Sequence, residues 1–87
     1  MSIYRVERSL KGIAMSDLAA AQQAAIATSQ RFSAEDTPVR YIRSTFVPES
    51  GACPCRFEAS GADAVKRVIE AAKIPFDRVT VALDLTP

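Results

Sequence analysis

PVRYIRSTFVPESGACPCRFEAS, residues 38–60, decides the fold. It holds two runs rich in β-branched and aromatic residues, PVRYIRSTFV and CRFEAS. Between them PESGA breaks the pattern with proline, serine and glycine, as a hairpin loop does. The stretch reads as two antiparallel strands, and what flanks it fixes the architecture. Upstream, MSDLAAAQQAAIATSQRFSAE (15–35) contains no glycine or proline and is rich in alanine and glutamine, which predicts a helix over residues 16 to about 34. Ser16 is its expected N-cap, with Asp17 near the positive end of the helix dipole. Met15, Leu18, Gln22, Ala25, Ile26, Ser29 and Phe32 follow three- and four-residue steps and predict its core stripe. Downstream, GADAVKRVIEAAK (61–73) sets Val65, Val68, Ile69 and Ala72 on one helical face, with Lys66, Arg67 and Glu70 turned to water. Pro75 stops that helix.

The chain ends complete the pattern. SIYRVER (2–8) alternates Tyr4 and Val6 against Ile3, Arg5 and Glu7, the period of a half-buried strand. DRVTVALDL (77–85) alternates Val79, Val81, Leu83 and Leu85 against Arg78, Thr80, Ala82 and Asp84. The order is βαββαβ, an α+β ferredoxin-like plan: a four-stranded antiparallel sheet in the order 4-1-3-2, with two helices on one face. At 87 residues a second core would leave each half too little apolar surface, so one domain over residues 1–87 is expected.

Composition removes several functions. The chain has 11 Lys+Arg against 10 Asp+Glu, a net charge of +1, which gives no general attraction to nucleic acid or to an anionic membrane. The N-terminal stretch lacks the apolar run of a signal peptide, no segment has the length of a membrane span, and the expected location is the cytoplasm. The absence of histidine removes the commonest general base and the commonest transition-metal ligand, and with them Ser-His-Asp and Cys-His nucleophilic sites. Gly12, Gly51 and Gly61 are too scattered to cradle a phosphate.

Cys53 and Cys55 flank Pro54. In an extended strand their Cα atoms would lie about 6.6 Å apart with side chains on one face. A disulfide needs Cβ atoms about 3.8 Å apart, so no intrachain bridge is expected. Cys55 shares the apolar parity of Phe57 and Ala59 and is expected in the core, while Cys53 is expected to be the more accessible thiol at the loop end. A metal held by the two thiolates, zinc across a dimer or copper(I), is the lesser reading.

The opposite parity builds an outer sheet face of Arg5, Glu7, Arg56 and Glu58, with Tyr41 and Arg43 expected beside them. Strands one and three are neighbours, so these charges could pair across strands or line a polar dimer interface. As a site, the face is a floor for a small anionic ligand, with arginine forks as recognition groups and Tyr41 as a stacking surface or donor.

Taken in order, YRVER, VRYIRSTFV, CRFEA and AVKRVIEAAKIPFDRV resemble a small bacterial family, domain-of-unknown-function 4242, over the full length of the chain. The family includes a nickel-binding protein. The matching positions are Tyr4, Val6 and Glu7; Tyr41 and Ser44; Cys55, Phe57, Glu58 and Ala59; and Pro75, Asp77, Arg78 and Val79. The resemblance implies a ferredoxin-like fold, a homodimer and a link to nickel. Family members usually carry a histidine on the second helix, near the positions of Val68 and Ile69 here, and no resident cofactor is expected of this chain. The leading expectation is a dimeric binding or interaction module that is not an enzyme. Its alternative is a small enzyme with Glu7 or Glu58 as base and Arg5 or Arg56 steadying an anionic intermediate.

Overall fold

The structure is a computed structural model that describes residues 1–83 and 85. Its elements are β1 (Ser2–Glu7), α1 (Met15–Ala34), β2 (Val39–Ser44), β3 (Cys55–Ala59), α2 (Ala62–Ala71) and β4 (Arg78–Ala82). They form one antiparallel sheet in the order β2-β3-β1-β4, the expected order read from its other edge. The α+β ferredoxin-like plan holds.

β1 and β3 pair from Ser2 opposite Ala59 to Val6 opposite Cys55. Their register runs on past both strands: the Cys53 amide donates to the Arg8 carbonyl at 3.0 Å and the Leu10 amide to the Gly51 carbonyl at 2.7 Å. The inward face of β1, Tyr4 and Val6, is thereby prolonged to Arg8, because alternate residues of an extended chain share a face. Gly51 sits where this ribbon turns back. Its φ is 79°, and a Cβ there would lie 2.3 Å from the Lys11 amide nitrogen, so both conformation and space demand glycine.

β2 carries a bulge. Tyr41 faces Phe57, but Arg43 faces Arg56, so Ile42 is the extra residue. Parity inverts across it: Tyr41 and Ser44, three residues apart, both point beneath the helices, while Arg43 points out.

α1 begins at Met15, with Ala14 as N-cap and no side-chain cap. The Leu18 amide reaches the Ala14 carbonyl at 3.0 Å, which closes the first helical turn ahead of Ser16. Ser16 is therefore in the first turn and is not the cap. Met15, expected in the core stripe, is 68% exposed, whereas Ala25, Thr28 and Ser29 are buried. α2 buries Ala64, Val65, Val68 and Ile69 against the sheet. On β4, Val79 packs on the core, yet Val81 is 64% and Leu83 80% exposed, since the helices do not reach along this edge strand. Asp84, part of the expected fourth strand, lies outside the described residues.

Candidate functional site

The two faces of the sheet carry different chemistry. On the open face, β1, β3 and β2 place Arg5, Arg56 and Arg43 directly opposite one another. Adjacent strands lie about 4.8 Å apart, so this row of guanidinium stems spans about 10 Å. Arg40 faces Glu58 and pairs with it at 3.1 Å. Glu7 is shared by Arg5, at 3.5 Å, and by Arg78, which donates a hydrogen bond to it. That bond, more than the charge of Arg5, holds the Glu7 carboxyl below its ordinary range and raises Arg78 above its own. In the register of β1 and β3 arginine faces arginine and Glu58 faces Ile3, so arginine and glutamate on these two strands stand diagonally and not directly opposite.

Tyr41 is not on this face. The β2 bulge turns its ring inward, edge-on to Phe57 at 5.4 Å between centroids. There it joins a chain of polar groups under α1. Gln22 Nε2 donates to the Tyr41 hydroxyl at 3.3 Å, which lies 2.6 Å from Ser44 Oγ. Ser44 Oγ donates to Cys55 Sγ at 3.0 Å, and Cys55 Sγ to the Cys53 carbonyl at 3.5 Å. Ser44 has a single proton to give, so Tyr41 is the donor in their contact. Cys55 is buried, as its parity predicts. Cys53 is 0% exposed, not the accessible thiol expected at the loop end, because the hydrogen bond from its amide to the Arg8 carbonyl carries the ribbon one pair further under the helix. Burial first, then the neighbouring Cys55, pushes the Cys53 thiol pKa up.

Arg8 stands at the end of this chain. It is 6% exposed, and its Nη1 contacts Cys55 Sγ at 3.5 Å. Its Nε, fully enclosed, has no hydrogen-bond partner among the described residues. Arg8 borders a cavity of about 100 Å³ whose walls include Leu18, Phe46, Phe57 and Ile69. Buried arginine is rare unless paired, which marks this place in the fold.

A family model described as nickel responsive protein SCO4226-like matches residues 4–81. The chain belongs to the SCO4226-like family. Among solved structures it is similar to the crystal structure of SCO4226 from Streptomyces coelicolor A3(2), with 28% sequence identity and a TM-score of 0.79. That likeness covers 99% of this chain and 100% of the other. None of the curated proteins matches it.

The SCO4226-like match encloses both the arginine row and the cavity. Arg8, Ser44 and Gln22 were not among the residues expected to form a site. Parity could have reached Arg8, which continues Tyr4 and Val6, but a charge at an inward position reads as the end of a strand. Ser44 and Tyr41 needed the bulge, which no residue type in VRYIRS announces. Of the expected outer-face residues, the fold brings Arg5, Glu7, Arg43, Arg56 and Glu58 together and removes Tyr41.

Proposed function

We propose that this SCO4226-like protein is a binding module, not an enzyme, and that its open sheet face receives a small anion bearing two or three carboxylate or phosphate groups. The observation that carries this reading is the row Arg43, Arg56, Arg5 across three adjacent strands. Three arginine forks side by side at the strand spacing offer parallel donors to an anion with several acidic groups. On this face Arg5, Arg40, Arg43, Arg56 and Arg78 outnumber Glu7 and Glu58 among the described residues. A ligand with acidic groups about 5 Å apart matches the strand spacing and the planar forks. Catalysis by Glu7 is disfavoured, because its carboxyl is held below the ordinary range and is a poor base near neutral pH.

The same positive face argues against stacking two copies through it. A homodimer uses the β4 edge instead, where Val81, Leu83 and Leu85 are exposed and the strand has a free side. Free thiols at Cys53 and Cys55 suit a reducing cytoplasm. No described helix is long and apolar enough to cross a membrane.

The family description speaks of a nickel response. The residues present do not fit nickel(II): the chain has no histidine, and no group of three or more Cys, Asp or Glu residues comes together among the described residues. The thiol pair also faces the Arg8 cation.

The test is an NMR titration at low salt with citrate and with pyrophosphate, alongside light scattering for the dimer. Saturable shifts at Arg5, Arg43 and Arg56 that vanish in Arg43→Ala support the reading. Shifts scattered over the whole surface, or none, overturn it.

A further inference from the structure

We propose that the cavity beneath the N-terminal half of α1 is a second binding site, separate from the arginine row, and that it takes a small monocarboxylate with an apolar body, Arg8 being its counter-ion. The argument begins with an imbalance. Arg8 is 6% exposed, lines the cavity, forms no ion pair among the described residues, and has an enclosed Nε without a hydrogen-bond partner among them. A buried cation whose one side-chain acceptor is a long contact to sulfur, with no counter-ion, is unfavourable, and a ligand that supplies a carboxylate binds it through a charge-assisted hydrogen bond of the stronger kind.

The walls then select the ligand. One end is polar, with the Arg8 guanidinium and the Ser44 hydroxyl; the remainder is Leu18, Phe46, Phe57 and Ile69. An inorganic oxoanion such as phosphate would leave most of its oxygens against hydrocarbon. A cation is repelled by Arg8. A neutral hydrocarbon would fill the space yet leave the Arg8 charge without a counter-ion. A carboxylate with a short carbon chain satisfies both ends, and a cavity of about 100 Å³ limits that chain to a few carbons. Gln22, exposed yet lining the cavity, stands where it meets solvent. The Cys53 and Cys55 thiols close the floor beside the head group, so they report on occupancy.

The experiment is calorimetric and NMR titration of the full chain with butyrate, compared with 1-butanol, butylammonium and inorganic phosphate. Butyrate should bind saturably, with shifts at Arg8, Ser44 and Phe46, and at least about tenfold more tightly than any comparator. Arg8→Met should abolish this binding and Arg8→Lys weaken it about tenfold or more, while Lys66→Ala, on the outer side of α2, should leave it intact. Butyrate should also slow alkylation of Cys55 in the wild-type protein, a readout that needs no variant to fold. Equal binding of butanol, tighter binding of phosphate, unchanged affinity in a folded Arg8→Met, or no saturable butyrate binding up to about 10 mM would each overturn the proposal. Because citrate and pyrophosphate are read at Arg5 and Arg43, failure of one site is distinguishable from failure of the other.

Discussion

Replacing Arg8 by methionine should make the unliganded protein more stable. Arg8 is 6% exposed, its Nε has no acceptor among the described residues, and its Nη1 reaches Cys55 Sγ at 3.5 Å. An unsatisfied buried donor costs about 1–3 kcal/mol, and more when charged. A long contact to sulfur offsets about 1 kcal/mol of that at most. Methionine keeps an unbranched stem of similar volume and brings an adaptable thioether to a cavity lined by Phe46 and Phe57, so little volume is lost. The net expectation is a gain of about 1–2 kcal/mol, in line with buried charges replaced by apolar residues of similar volume. For a domain of this size that raises the melting midpoint by roughly 4–15 °C. With a urea slope of about 1 kcal/mol per molar it moves the denaturation midpoint up by about 1–2 M. Urea denaturation followed by circular dichroism at pH 7, without added carboxylate, measures it. A native spectrum with stability lowered by about 1 kcal/mol or more would refute the reasoning, since Arg8 would then be a structural member of the core.

Gly51→Ala should destabilise the fold by about 2–4 kcal/mol in thermal unfolding, because alanine would meet both the left-handed φ and the Lys11 backbone. The Glu7 contribution should depend on pH with a fixed sign. Its folded pKa is depressed from 4.5 by the Arg78 hydrogen bond, so the stabilisation is present above pH 4.5 and is lost as pH falls through the folded value. Glu7→Gln should therefore differ from wild type in unfolding at pH 7 and converge with it in acid, the difference shrinking in high salt since the pair is exposed. Native thiol titration at pH 8 should find neither Cys53 nor Cys55 fast-reacting and both after unfolding, because both are buried and burial suppresses the Cys53 thiolate. A fast first equivalent would show that the ribbon from Arg8 to Gly51 opens in solution.

Local pattern was enough for the elements and their order. The alternation of SIYRVER and CRFEAS, the unbroken alanine-rich run of α1 and the Val65, Val68, Ile69 face of α2 each record a period that matches one backbone geometry, so the βαββαβ order and the burial of Cys55 followed from the sequence. Arginine parity likewise put Arg5 and Arg56 on the open face. What the sequence alone did not determine depends on which residue meets which. A bulge is a difference in register between two strands, and at Ile42 it moves Tyr41 from the open face to the interior without altering the pattern of either strand. The continuation of β1 against the hairpin loop buries Cys53 and draws Arg8 beneath α1 through backbone hydrogen bonds between segments more than forty residues apart in sequence. The exposure of Met15, Val81 and Leu83 reflects how far two helices reach across a twisted sheet, a property of the packed layers and of no single strand. The arginine row and the cavity are both products of pairing: periodicity tells a side chain which face it takes, and only the assembled sheet supplies its neighbours.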